Sequence, residues 1–257
     1  MNLDKVSCVY FSPTGNTKKS VMSVGAGISD NCIEYDLTYS KSRGNSLVFS
    51  EGDIVVVGMP VYGGRIPPVD GGLLNDIRGN GATAIAIVNY GNREYEDSLL
   101  EIKNTLKENG FNVIAAGAFI GEHSYTDKVG CNRPNGIDIC EMKSFGESIK
   151  AKILKGDTSE VSVDGNYPYK EGKKSPKFSP KTNKDCIDCN KCIGLCPVNA
   201  IDSNNPRITD IDKCIKCCAC IKGCPKNAKY MKSVTYSFFV NFLKTTCSEP
   251  KKSKLFI

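Results

Sequence analysis

The sequence predicts an α/β chain: a doubly wound parallel sheet of five strands, followed by a small α+β unit rich in cysteine. Three observations carry that expectation. Over residues 1–155 short apolar runs alternate with helical stretches, the pattern of a parallel sheet with crossover helices. Two of those runs, DIVVVGMPV (53–61) and ATAIAIVNY (82–90), are apolar almost throughout, as in central strands covered on both faces. Nine of the fourteen cysteines lie between Cys186 and Cys224.

The elements follow in order. KVSCVYF (5–11) reads as the first strand and NTKKSVMSVGAGI (16–28) as a helix, though its glycines weaken the propensity. NCIEYDL (31–37) is a second strand, and 53–61 and 82–90 are the third and fourth. EYEDSLLEIKNTLKENG (94–110) is the clearest helix: Leu99, Ile102 and Leu106 recur at helical spacing, acids lead, and Gly110 ends it. FNVIAAGAFIG (111–121) is a fifth strand, and a helix is expected from Ile137 to Leu154. Residues 156–184, rich in Pro, Gly, Ser and Lys, read as a linker, part of it lying along a domain surface. Residues 185–230 form the cysteine-rich unit. The tail, 231–257, is amphipathic enough for a helix or a strand, and its aromatics are expected to cover the first domain.

With 257 residues, 40% hydrophobic and 24% charged, the chain has the composition of a globular protein. No run of 18 apolar residues is present, and the N-terminus has no basic start followed by a long apolar stretch, so no membrane span or export signal is expected. The expected location is cytoplasmic, where clustered thiols point to metal or redox chemistry rather than disulfides.

CIDCNKCIGLCP (186–197) and CIKCCACIKGCP (214–225) repeat at an offset of 28 residues, each reading C-x2-C-x2-C-x3-C-P. In that arrangement three cysteines of one run hold one [4Fe–4S] cluster and the fourth belongs to the other. Cys186, Cys189, Cys192 and Cys224 are therefore assigned to cluster one, and Cys214, Cys217, Cys220 and Cys196 to cluster two. Cys218 falls between ligands, and its side chain is expected to point elsewhere. Ile187, Ile193, Ile215 and Ile221 are expected to exclude water from the clusters. Paired zinc knuckles are the alternative, but zinc sites draw two CxxC pairs from separated loops. The segment resembles bacterial two-cluster ferredoxins along its whole length.

Charge follows the cysteines. Residues 1–155 hold 16 Lys and Arg against 18 Asp and Glu, a net of −2; residues 156–257 hold 18 against 10, a net of +8. Two all-cysteine clusters at about −2 each in the oxidised state offset about half of that excess. The lysines are spread through linker, repeats and tail without a recognition-helix pattern, so no nucleic-acid partner is expected.

The first strand runs into FSPTGNTKKS (11–20), a turn that offers free N–H groups, hydroxyls and a helix N-terminus, hence an anion site. It is neither a Walker loop nor G-x-G-x-x-G. PVYGGRIP (60–67) and NYGNREYED (89–97) follow the third and fourth strands, where a doubly wound sheet places its ligand. Both carry glycines for close approach and a tyrosine able to stack on a planar ring.

S-x-T-G-N-T after the first strand resembles the FMN-phosphate loop of flavodoxins. The resemblance implies a flavodoxin-like domain over about 1–155, with Ser12, Thr14, Gly15, Asn16 and Thr17 holding the phosphate of FMN. It also implies that Pro60, Val61, Tyr62, Gly63 and Gly64 flank the flavin ring, together with Asn89, Tyr90, Gly91, Asn92 and Tyr95. Unlike the acidic stand-alone flavodoxins, this domain is near neutral and carries Arg65 and Arg93 in the ring loops, where arginine stabilises an anionic reduced flavin. The whole chain resembles the flavodoxin–ferredoxin fusion family of anaerobes.

GEHSYTDKVGCNRPNGID (121–138) is longer than a connection needs to be and holds the sole histidine, His123, with Ser124, Tyr125, Cys131 and Arg133. Two readings stay open. His123 or Tyr125 contacts the flavin or a substrate as a proton donor, or the loop packs against the iron–sulfur unit. Cys8, Cys32, Cys131, Cys140 and Cys247 are read as ordinary free thiols. The expected function is an electron-transfer protein relaying single electrons between the clusters and FMN, with a ferredoxin-type donor or an acceptor reductase as partner. The alternative is an FMN-dependent reductase of a small organic substrate held under the 121–138 loop. The domains can meet within one chain or across a homodimer.

Overall fold

The computed structural model describes residues 3–171 and 177–257. Residues 172–176, within the expected linker, lie outside the described residues. In chain order the elements are β1 (Val6–Tyr10), α1 (Asn16–Ile28), β2 (Cys32–Asp36), β3 (Leu47–Val48), β4 (Ile54–Pro60), β5 (Ile77–Arg78), β6 (Thr83–Tyr90), α2 (Ser98–Glu108), β7 (Asn112–Ile120) and α3 (Gly136–Leu154). There follow β8 (Lys181–Thr182), α4 (Lys191–Leu195), α5 (Ala219–Lys222), β9 (Lys229–Tyr230), α6 (Val234–Thr246) and β10 (Lys254–Phe256).

The main sheet has the order β10-β7-β6-β4-β1-β2. The five strands expected from sequence pair in parallel, with β2 and β4 on either side of β1. That is the flavodoxin-like strand order, and its reversal point lies between β1 and β4, where such sheets bind ligand beyond their carboxyl ends. β6 is buried at every position and β4 at all but its last, whereas the edge strand β2 is only partly covered. The expected five-strand sheet gains a sixth strand. β10, from the tail, pairs antiparallel with β7, so the otherwise open edge beside β7 is closed by a short terminal strand.

Helices α1 and α3 cover one face, packing Val21, Val24, Ile28, Phe145 and Ile149 against Val56, Ile85 and Ile87. They cross on bare backbone: a Cβ on Gly27 would lie 2.1 Å from the Lys143 carbonyl oxygen, and one on Gly146 2.2 Å from that of Val24. The other face departs from the expected alternation, because α2 is the one long helix there. The crossovers into β4 and β6 are irregular chain, and β3 and β5 pair with each other in parallel. Phe49, Val69, Leu73, Leu74 and Ile77 from these crossovers fill the space a helix would occupy.

The linker is docked where it is described. Val161 donates to the Val113 carbonyl at 2.9 Å and is buried in the same core. The Asp97 carboxylate, at the start of α2, accepts from Asn166 N at 2.8 Å and Lys170 N at 2.6 Å. These bonds replace the cap that Asp97 does not give its own helix.

Candidate redox site

The cysteine-rich unit is a backbone repeat as well as a sequence repeat. Asp188 and Lys216, Asn190 and Cys218, and Asn199 and Asn227 are three pairs at the 28-residue offset, each with positive φ. Ala200 N points at the Cys196 sulfur and Ala228 N at the Cys224 sulfur, both at 3.2 Å. α4 starts after Asn190 at φ 58° and α5 after Cys218 at φ 63°. Cys218 thus occupies the left-handed corner that Asn190 fills in the first half, while its neighbours Cys217 and Cys220 turn toward one recess.

Two recesses open in this unit. One is lined by Cys186, Cys189, Cys192 and Cys224. The other is lined by Cys196, Cys214, Cys217, Cys218 and Cys220. The lining cysteines include the two sets expected from spacing, each with its fourth member drawn from the other run; Cys218, expected to point elsewhere, also lines the second recess, with its thiol on the Lys216 carbonyl at 3.6 Å. All eight thiols are free. Among the described residues no three His, Cys, Asp or Glu side chains converge on a point able to hold a single ion. Four thiols spread around a recess suit a cubane, which is wider than one metal ion, and so favour iron–sulfur over zinc. Ile193 and Ile221 pack with the cysteines as expected. Ile187 lines the first recess but is 58% exposed, so it covers that recess only in part. Ile215 packs on the core of the main sheet, so it seals the boundary between the domains.

The 12–17 loop fits an anion. α1 begins after Gly15 at φ 90°, which offers no side chain to cap it, and its first turn holds no acid, so the helix N-terminus can oppose a phosphate. Thr14 and Gly15 lie on this turn. Ser12 is engaged in it, its hydroxyl accepting from Lys18 N at 2.9 Å. The Asn16 amide turns away and donates to the Glu122 carbonyl at 3.2 Å. Thr17 is buried with its methyl toward Gly58.

Of the ring loops, 60–64 is partly exposed: Tyr62 is half-buried, Gly63 exposed and Gly64 buried. Pro60 ends β4, Val61 N donates to the Asn89 carbonyl, and Gly63 and Gly64 turn the chain at φ 65° and 89°. Residues 89–95 depart from expectation. The Asn89 amide donates to Ser20 Oγ at 2.9 Å, inside the fold. Tyr90 and Tyr95 are core residues, 4% and 3% exposed, with rings 5.6 Å apart. Asn92 is wholly buried and holds the tail, donating to the Cys247 and Glu249 carbonyls and accepting from Lys251 N. Gly91 lies against His123: a Cβ there would be 2.7 Å from the imidazole. Nor are the two arginines free cations. Arg65 is bonded to Glu101 at 2.7 Å and stacked on Tyr169, and Arg93 pairs with Glu96 at 3.0 Å. The other oxygen of Glu96 is buried without a hydrogen-bond partner.

The 121–138 loop packs against the rest of the molecule. Tyr125 has four aromatic neighbours within 6.0 Å: His123, Phe178 of the linker, and Tyr236 and Phe239 of α6. Tyr236 Oη donates to the Tyr125 carbonyl at 2.8 Å. His123 Nδ1 accepts from Tyr125 N at 3.1 Å, which places the ring proton on Nε2. Burial, reinforced by Arg93 and Lys222, pushes the His123 imidazole down to about 4, so it is neutral near pH 7. Arg133 is committed to Asp138 and to the Lys251 carbonyl. Asp138 also caps α3 in a reciprocal box with Asn135. The proton-donor reading therefore finds His123 uncharged, Tyr125 inside an aromatic cluster and Arg133 in an ion pair.

The same loop forms the domain boundary. Tyr62 lies on the cysteine-rich side of it: burial raises its hydroxyl pKa far above the usual tyrosine value, and Cys217, Cys218, Tyr125 and Cys214 push the same way. Tyr125 is raised by burial and then by Cys218, Cys214 and Cys217. Lys222 pairs with Glu122 at 2.7 Å, Ser40 bonds Asn199 at 3.2 Å, and Arg43 donates to the Pro197 carbonyl. Sequence reasoning missed Phe178; it expected the tail aromatics to cover the first domain, as Tyr236 and Phe239 do, without singling these two out. The spacing of Tyr236, Phe239 and Leu243 along α6 was the available signal for a packed helical face.

No helix among the described residues is long and apolar enough to cross a membrane. Residues 145–243 match the family model described as a 4Fe-4S dicluster domain. One curated protein, integration host factor subunit alpha of Pseudoalteromonas translucida, is 34% identical over 68 residues, which is 26% of this chain and 66% of that one. Solved structures similar to this chain include a flavodoxin from the domain Archaea, at 18% identity and a TM-score of 0.40 over 58% of this chain and 99% of that one. Another is the rubredoxin oxygen:oxidoreductase of the anaerobe Desulfovibrio gigas, at 19% identity and a TM-score of 0.40, over 60% of this chain and 37% of that one. A third is a flavodiiron core from Synechocystis, at 14% identity and a TM-score of 0.42, over 59% and 36%. It is the strand order that identifies the first domain and the cysteine cages with the family match that identify the second. The chain therefore joins a flavodoxin-like doubly wound domain to a 4Fe–4S dicluster domain.

Proposed function

We propose that this chain is an electron-transfer protein that relays single electrons between two [4Fe–4S] clusters and an FMN. The cages Cys186, Cys189, Cys192, Cys224 and Cys214, Cys217, Cys220, Cys196 would hold the clusters. The N-terminus of α1 would take the FMN phosphate, with the 60–64 loop beside the ring. FMN exchanges one or two electrons and each cluster one, so a chain with both can convert between single and paired transfers.

The observation that carries the reading is that Val61 of the ring loop and Val198 and Ile215 of the cluster-two recess pack on the same apolar core. The chain's own residues do the positioning. Ile215 and Val198 seat the cluster-two loop on the sheet's apolar core, and Lys222, Arg43 and Ser40 fix the angle between the domains. Tyr62, Tyr125, Phe178 and Tyr236 keep water out of the gap. A covalent link with a docked linker holds both modules at high effective concentration.

The reductase reading is less well supported, because Arg133 and Tyr125 are committed to structural contacts. The deciding experiment is an anaerobic reductive titration of the reconstituted protein. The proposal predicts about eight irons and one FMN per chain, with cluster bleaching and flavin reduction in one titration. Stoichiometric zinc in place of iron, or no retained flavin, overturns it.

A further inference from the structure

The two cysteine cages are not equivalent in their surroundings. The cluster-two cage faces inward: Cys217 and Cys220 are buried, and Val198 and Ile215 of its recess pack on the sheet core. The cluster-one cage faces outward. Cys189 is exposed, Ile187 beside it is 58% exposed, and Lys191 and Lys226 stand on the recess wall. Lys184 is exposed two residues before Cys186. Of the nearby acids, Asp188 is taken by Arg207 at 3.0 Å, which also donates to the Cys186 carbonyl, and Asp185 stands next to Lys184. The mouth is thus an exposed apolar residue in a ring dominated by lysines.

We infer that the cluster-one mouth is a docking surface for an acidic one-electron carrier protein, and that electrons enter or leave the chain there rather than at the flavin. The inference rests on the relay proposed above and adds its outer end. An apolar centre with a charged rim is how a transient electron-transfer contact is built: the apolar patch sets the fit and the rim steers the encounter. In each encounter from a reduced carrier, the carrier gives up one electron and is oxidised by one. This chain takes that electron up within the Cys186, Cys189, Cys192 and Cys224 cage and is reduced by one. No bond is made or broken and no proton is needed.

The test uses the full-length holoprotein with a reduced acidic bacterial ferredoxin as probe, in anaerobic stopped flow. The second-order rate is expected to fall by about tenfold or more as salt is raised, as steered encounters do. The triple charge reversal Lys184→Glu, Lys191→Glu, Lys226→Glu is expected to lower the low-salt rate by about tenfold or more, while dithionite, which needs no docking, still reduces the clusters. With both proteins oxidised and no turnover, binding of the ferredoxin is expected to weaken by a similar factor. A rate and an affinity indifferent to salt and to charge reversal overturn the inference. So does a mouth that binds duplex DNA tightly while the carrier's rate is unaffected by the reversal. Should the reversal lose iron, the salt dependence and affinity of the unaltered protein decide. Clusters reduced by the carrier while the flavin stays oxidised would overturn the relay and leave the docking surface standing.

Discussion

Asn92 is where the expected and observed roles of a residue part most sharply, and replacing it with alanine separates them. Its side chain is wholly buried, at φ 60°. It donates to the Cys247 carbonyl at 2.7 Å and the Glu249 carbonyl at 2.9 Å, and it accepts from Lys251 N at 3.0 Å. These bonds lead the tail to the β7 edge, where Lys254–Phe256 pair as β10. Alanine removes three bonds at about 1 kcal/mol each and, without the short polar side chain that lets asparagine tolerate a left-handed conformation, costs up to about another 1 kcal/mol. The tail should therefore open about 3–4 kcal/mol more readily, provided no water replaces the lost partners. Native-state hydrogen exchange reads this directly, because it reports local opening without assuming that the whole chain melts at once. Amides of Lys254–Phe256 are expected to exchange roughly a hundredfold or more faster in Asn92→Ala, and about fivefold less so in Asn92→Gly, which keeps the backbone conformation. Unchanged protection of β10 together with lost flavin binding would refute the reasoning and restore Asn92 to the ring site.

Three further outcomes are expected. The imidazole of His123 should titrate near 4 by NMR. Because the folded value lies below the unfolded one, its contribution to stability is complete above about pH 6.5 and is lost as pH falls toward 4; a midpoint near 6.5 would contradict its burial. Gly146→Ala should destabilise the first domain by about 2 kcal/mol or more, since the added methyl meets the Val24 carbonyl 2.2 Å away and neither helix can yield cheaply; a denaturation midpoint equal to wild type would contradict the close crossing. Cys220→Ser should lose the iron of one cluster while Cys218→Ser keeps both; equal iron in the two variants would contradict the ligand assignment.

What was legible in the sequence was whatever depends on local spacing. The C-x2-C-x2-C-x3-C-P runs fixed both cages, because ligand spacing within one turn leaves little freedom. α1 spans the residues expected of it, since the strand-to-helix turn at Gly15 is itself a local signal. Roles set by tertiary context were not legible. Tyr90 and Tyr95 follow a strand in a glycine-bearing loop, as ring-stacking tyrosines do, yet they turn inward because the α2 face lacks a second helix and needs filling. β10 is three residues long and carries no alternation that marks a strand; it pairs because Asn92 and Arg133 deliver it to the edge of β7. Arg65 reads as a cation for the flavin and is neutralised by Glu101, which lies 36 residues away in the chain. The 121–138 loop was read as either functional or packed, and its four aromatic contacts around Tyr125 place it in the domain boundary.

The central claim is that cluster two and the flavin face each other across Tyr62 within one chain. It is tested most directly by following the arrival of an electron at the flavin after rapid reduction of the clusters, over a hundredfold range of protein concentration. The account predicts a first-order rate that does not change on dilution and that is abolished in Cys220→Ser. A rate that scales with protein concentration, or a flavin that remains oxidised beside reduced clusters, would contradict it.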